Sequence, residues 1–108
     1  MSLPDLLENW RASPTIAGNI TAWRTLPSRP AETAPWPPDL HPALTEALRA
    51  RGITELYVHQ VAAWEHIRAG RQPVIVTGTA SGKSLCYNLP VLDRLLRRPD
   101  SRALYLFP

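Results

Sequence analysis

The chain is 108 residues long, carries a formal net charge of +3 and holds one cysteine, Cys86. A chain of this length buries about two-thirds of its unfolded surface, so it supports one modest core. A single cysteine excludes an intramolecular disulfide and a zinc site built of cysteines alone, and the acidic N-terminal segment MSLPDLLENW has no apolar run of signal length. No stretch approaches the ~20 apolar residues of a membrane span, and a reducing, cytoplasmic setting is expected. The mild positive charge is compatible with a nucleic-acid partner without arguing for one.

In chain order, residues 2 to 12 predict a short helix with Leu3, Leu6, Leu7 and Trp10 on one face. Eight of the twelve prolines lie between Pro4 and Pro42, so residues 13 to 42 read as irregular. With Trp23 and Trp36 between the prolines, this stretch is either an extended arm that packs by its tryptophans or a linker without fixed structure. A domain division follows: a Pro-rich arm with a short helix over residues 1–38, and an ordered unit over 39–108. In that unit Pro42 suits the first turn of a helix, Ala43, Leu44, Ala47 and Leu48 form its apolar stripe, and Gly52 fits just past its end. A second helix is expected from about Val58 to Ala69, with Gly70 stopping it and Trp64 in the core.

The run Pro73-Val74-Ile75-Val76-Thr77 reads as a buried strand of the kind found in parallel sheets. A small, polar loop follows, and then a helix with Leu85, Leu89, Leu92 and Leu96 at helical spacing. Pro90 lies inside that helix as a candidate kink. Arg102-Ala103-Leu104-Tyr105-Leu106-Phe107 predicts another strand. Strand, loop, helix and strand predict a parallel βαβ unit with a right-handed crossover, hence an α/β fold.

The loop itself is Thr77-Gly78-Thr79-Ala80-Ser81-Gly82-Lys83-Ser84. A strand before it and a helix after it are the context that a phosphate-binding loop requires. Small residues let successive amides point inward at one anion, and the helix start adds free N–H groups and the positive end of its dipole. Lys83 can reach the β- and γ-phosphates, and the Ser84 hydroxyl can ligate Mg²⁺. Eleven of the twelve basic residues are arginine, and the one lysine is Lys83. The general pattern places a glycine where Thr77 stands, one residue before Gly78. Upstream, Gln60 carries a donor and an acceptor on one amide, which can complement the N6 donor and N7 acceptor of adenine.

The strings GITELYVHQ, VTGTASGKSLCYNLPVL and RALYLFP together resemble the first RecA-like domain of superfamily-two DEAD/DEAH-type helicases. Within that group the likeness is to bacterial DNA helicases of the YprA/MrfA kind, which in turn resemble eukaryotic RecQ-related enzymes with a cysteine-rich C-terminal region. The resemblance covers roughly residues 20 to 108 and implies an incomplete RecA-like domain. It also implies ATP and Mg²⁺ as cofactors and nucleic acid as the partner, DNA by the YprA/MrfA likeness, with RNA left open because no strand-reading element is present. Gln60 would read adenine with Tyr57 flanking the base. Residues Gly78 to Ser84, preceded by Thr77, would form the ATP loop, with Lys83 on the phosphates and Ser84 on Mg²⁺. Leu106-Phe107-Pro108 looks like the start of the segment that touches the nucleic-acid backbone, with Pro108 as the candidate contact. Glycine is often absent at the Thr77 position in this superfamily.

The same resemblance places an Asp-Glu box, a second RecA domain with its arginine finger and a zinc-binding tail beyond Pro108. Hydrolysis and unwinding are therefore not expected of these residues alone, since hydrolysis needs metal, positioned water and charge stabilisation together. A stand-alone nucleotide- or partner-binding module is the alternative. A kinase sharing the loop has no need of a glutamine before the strand. Among the other residues, His59 and His66 have too few companions for a metal, and Cys86 suits a buried filler. Arg94, Arg97 and Arg98 suit a helix C-terminus.

Overall fold

The computed structural model describes residues 1–107 of the chain. Among them, in order, are helices α1 (Leu3–Ala12) and α2 (Pro14–Ala17), strand β1 (Thr33–Ala34), helix α3 (Pro42–Ala50), strand β2 (Leu56–Tyr57), and helices α4 (Val58–Arg68) and α5 (Lys83–Arg97). The sheet is one short antiparallel pair, with Thr33 opposite Tyr57 and Ala34 opposite Leu56. No helix of the described residues is long and apolar enough to cross a membrane.

Local chemistry sets the helix ends. At α1, the Asp5 carboxylate accepts from the Ser2 N–H at 2.8 Å while the Ser2 hydroxyl accepts from the Asp5 N–H at 3.3 Å, a reciprocal capping box. Helix α3 starts on Pro42, and His41 Nδ1 accepts from the Ala43 N–H. It ends where Gly52 adopts φ +74°. There the Ile53 N–H reaches the Leu48 carbonyl and the Gly52 N–H reaches that of Arg49, a Schellman motif that a glycine closes without strain. Helix α4 closes on Gly70 in the same way.

The core is small and built by helices. Leu40, Leu44, Leu48, Leu56, Trp64 and Leu89 are buried together, with Trp36, Ile53, Val61 and Leu85 packed against them. Each buried side chain of this size contributes about 1.5–3 kcal/mol. Helices α4 and α5 pack on one another and α3 leans on α5. Helix α5 runs unbroken through Pro90. Helices α1 and α2 touch each other and no further element. The radius of gyration is 20.6 Å, against about 13 Å for a compact domain of ~100 residues. The first two helices thus stand away from the core, with Trp23 covered by the Arg11 guanidinium at 4.3 Å. The later part of the proline-rich stretch does pack, through Trp36 and the buried Pro37.

A polar clamp holds that later part in place. Asp93, on α5 and 3% exposed, accepts from the His41 backbone N–H at 2.9 Å and from Arg97 Nε at 2.8 Å. Arg97 also donates to the Asp39 carbonyl at 2.6 Å, and the Asp39 carboxylate accepts from Trp64 Nε1 and Arg68 Nε. Residues 39 to 41 are thereby tied to both α4 and α5.

The two strands expected at 73–77 and 102–107 are not formed, so the parallel βαβ pairing is absent from the described residues. Both segments run without regular pairing, and Val74, Val76, Leu104 and Leu106 are each at least 85% exposed. Apolar, β-branched composition makes a segment fit for burial in a sheet. A strand also needs a neighbour for its N–H and C=O groups, and these two segments do not pair with each other. Pro108, the candidate nucleic-acid contact, lies outside the described residues.

Asp93→Ala removes the acceptor from the His41 N–H and from Arg97 and should cost about 1–3 kcal/mol of stability by thermal unfolding. Burial pushes the Asp93 carboxyl up, but the bonds from Arg97 and His41 and the nearby guanidinium charges outweigh it and hold it below the ordinary value. A depressed carboxyl stabilises fully above its unfolded value of about 3.9 and loses that contribution as pH falls through its lower folded value. The gap between wild type and variant should therefore be flat near neutral pH and narrow below about pH 4.

Candidate functional site

The loop of residues 77–84 lies between an unpaired extended segment and the start of α5. Two residues in it adopt left-handed backbone, Ala80 at φ +57° and Gly82 at φ +73°. The loop folds around the lysine ammonium. Lys83 Nζ donates to the Gly78 carbonyl at 2.6 Å and to the Thr77 carbonyl at 3.1 Å. The hydroxyls of Thr77 and Ser81 share a hydrogen bond at 2.6 Å across the loop. Thr77, which departs from the general pattern, thus helps close the ring.

The start of α5 is open. Gly82 is its N-cap, so no side chain caps it, and its first turn holds no acidic residue. Its first N–H groups therefore have no side-chain acceptor, beside Lys83 and the exposed Ser84. Such an end favours an anion. A triphosphate fits this donor set: residues 77–84 include no carboxylate to repel it. Among the described residues no cluster of three or more His, Cys, Asp and Glu could hold a metal ion, so a cation here would depend on a hydroxyl such as that of Ser84 together with the anion it accompanies.

Gln60 is placed differently from a free base reader. It is 3% exposed. Its Oε1 accepts from the Tyr57 N–H at 2.9 Å, and its Nε2 donates to the Gly82 carbonyl at 2.8 Å. One bond closes the first turn of α4 and the other grips the loop. One N–H and one lone pair of the amide are left over. Tyr57, 39% exposed, stacks on His59 with ring centres 5.5 Å apart and planes 15° from parallel. Tyr57, Gln60 and Gly82 line one cavity of 430 Å³.

Some contacts at the site were not foreseen from sequence. His59 Nε2 lies 2.7 Å from the Ser81 carbonyl, so two consecutive residues of α4 hold two consecutive carbonyls of the loop. Adjacent helical residues do not share a face, and no spacing rule signals this pair. Thr33 and Glu55 also line the cavity and bond to each other. Cys86 is buried as a filler, and burial pushes its thiol up, more than Lys83 and the backbone pull it down. It is not a reactive group.

Comparison with known proteins bears on this arrangement. The DEAD/DEAH box helicase family matches residues 57–108. The chain carries part of a DEAD/DEAH box helicase domain, whose fold is RecA-like. It is 47% identical over 90 residues to the uncharacterized ATP-dependent helicase YprA of Bacillus subtilis, covering 83% of this chain and 12% of that protein. It is 32% identical over 107 residues to the ATP-dependent helicase HRQ1 of Saccharomyces cerevisiae, covering 99% of this chain and 10% of that protein. A crystal structure of the DUF1998 helicase MrfA bound to DNA and AMPPNP matches the whole chain and 15% of the MrfA chain, at 42% identity and a TM-score of 0.84. The chain thus spans between about a tenth and a seventh of the proteins it resembles.

Gly82→Ala tests the loop geometry. A Cβ there would sit 2.6 Å from Gln60 Nε2, at a φ of +73°. Left-handed backbone alone costs a non-glycine residue about 1–2 kcal/mol, and the clash would displace the amide that holds the loop. The variant should lose at least that much stability by thermal unfolding and lose loop protection in hydrogen exchange around 78–84.

Proposed function

We propose that this chain is the ATP-binding leading part of an ATP-dependent nucleic-acid helicase that works on DNA in the cytoplasm. The observation that carries the reading is the one lysine of the chain at the uncapped positive end of α5, inside a ring of small residues. A cation is unfavourable there by itself and useful once an anion arrives. The relatives named as ATP-dependent helicases, and the MrfA structure with DNA and AMPPNP, support the assignment.

In this reading residues 77–84 receive the triphosphate. Lys83 exchanges the carbonyls of Thr77 and Gly78 for phosphate oxygens, while the first N–H groups of α5 bind the same anion. Ser84 offers its hydroxyl to Mg²⁺, which when bound neutralises phosphate charge. Gln60 offers its remaining N–H and lone pair to adenine, and Tyr57 flanks the base. Residues 73–77 and 102–107 become parallel strands on either side of α5 once sheet neighbours cover Val74, Val76, Leu104 and Leu106. Pro108 begins the nucleic-acid contact. Residues 1–38 form an N-terminal arm and 39–108 the start of the RecA-like domain. Hydrolysis requires a metal-holding carboxylate pair and a water-positioning group beyond those of this chain, so binding and not turnover is the property to expect of these residues.

Lys83→Ala should abolish phosphate-dependent affinity for ATP while leaving the melting temperature within a few degrees. Titration with ATP and with adenosine separates the phosphate contribution from the base contribution. ATP affinity equal to wild type in the folded variant would overturn the loop assignment.

A further inference from the structure

The 430 Å³ cavity beside the loop has a wall that the loop pattern does not describe. Tyr57 and Leu85 supply apolar surface and Gly82 leaves space. Gln60 is buried, and half of its amide capacity is committed to backbone partners. The exposed polar side chains include Thr33, which comes from β1, and Glu55, which precedes β2. The two are locked together: Thr33 Oγ1 donates to Glu55 Oε2 at 2.7 Å. Pairing of β1 with β2, and the bond from the Val58 N–H to the Glu32 carbonyl, fix the arm at this spot.

The hydroxyl proton of Thr33 is spent on the carboxylate. What the pair offers outward is Glu55 Oε1 and the lone pairs of Thr33, all acceptors. A ligand edge that meets it must donate. At position 6 the exocyclic amine of a 6-aminopurine does so, whereas a 6-oxopurine there sets its carbonyl oxygen against the carboxylate and keeps a donor only at N1. Hydrogen-bond donors lost to a charged acceptor are the strongest discriminators between such isosteres. Of residues 77–84, Gly82 lines this cavity and Lys83 does not.

We infer that Glu55, oriented by Thr33 of the arm, is a specificity-determining residue that selects a 6-aminopurine over a 6-oxopurine nucleoside triphosphate. This rests on the nucleotide-binding reading above. It gives β1 a part in ligand choice, and it assigns discrimination to an exposed pair beside Gln60 and not to Gln60 alone.

The test uses the protein as expressed from its gene and measures dissociation constants for ATP, ITP and 2′-deoxyATP. Wild type should prefer ATP to ITP. Glu55→Gln, whose amide can donate to the 6-oxo group, should lower that preference about tenfold, with the ratio of ATP to 2′-deoxyATP unchanged. Thr33→Val, which frees the carboxylate, should lower the same preference by a smaller factor and serves as the test if the first variant does not fold. An ATP-to-ITP ratio unchanged in both variants overturns the inference, as does a loss that appears in the 2′-deoxyATP ratio, since the carboxylate would then meet the ribose. Equal binding of ATP and ITP by wild type overturns it while the loop reading stands. No binding of either nucleotide removes both.

Discussion

The amide of Gln60 fixes the phosphate loop to the helical part of the molecule. Its oxygen closes the first turn of α4 and its nitrogen holds the Gly82 carbonyl. The contact is close enough that residue 82 has no room for a side chain. His59 repeats the attachment one carbonyl earlier, at Ser81. In a complete sheet the strand before the loop would share this work. Here residues 73–77 have no strand neighbour, so the loop takes its position from α4 and from the packing of α4 on α5. The glutamine and the loop, 22 residues apart in sequence, form one mechanical unit before any ligand arrives.

Much of this was legible in the sequence because it is local. Glycines past helix ends, Pro42 at a first turn, and leucines at helical spacing mark α3, α4 and α5 within a residue or two. The motif Gly82-Lys83-Ser84 marks the loop. What sequence could not supply is pairing. Val74-Ile75-Val76 has the composition of a buried strand, but a strand is a relation between two segments. The composition of one of them does not say where the other lies. The same limit hid the bond between Thr33 and Glu55 and the grip of His59 on Ser81. Gln60 illustrates a subtler gap. Its amide suits adenine on chemical grounds, and the structure shows that half of that capacity serves the backbone.

Helix α5 links the site to the arm. Its first residue is Lys83, at the loop, and about three and four turns on Asp93 and Arg97 bind the backbone of residues 39 to 41. Asp93 is nearly inaccessible, and a carboxylate in that position is stable because Arg97 and the His41 N–H satisfy it. Through this clamp Leu40 enters the core and Trp36 packs against it, which in turn fixes the approach of β1 to β2. The proline-rich stretch thus divides by function. Its first part stands free with α1 and α2, and its last part is held by the helix that begins at the loop.

The cations of α4 and α5 follow the helix dipoles, with one exception. Arg68 lies in the last turn of α4, and Arg94 and Arg97 in the last turn of α5, where a cation gains about 0.3–1 kcal/mol. Lys83 sits at the opposite end of α5, where a cation loses by a similar amount. Two backbone carbonyls, of Thr77 and Gly78, offset this by accepting from its ammonium. Arginine, the cation of choice everywhere else in this chain, would present a rigid planar fork in place of a compact point charge. A compact ammonium can leave those carbonyls for another acceptor at little geometric cost. The placement is locally unfavourable and tolerated, which is how a site made to receive an anion differs from a surface made only to be stable.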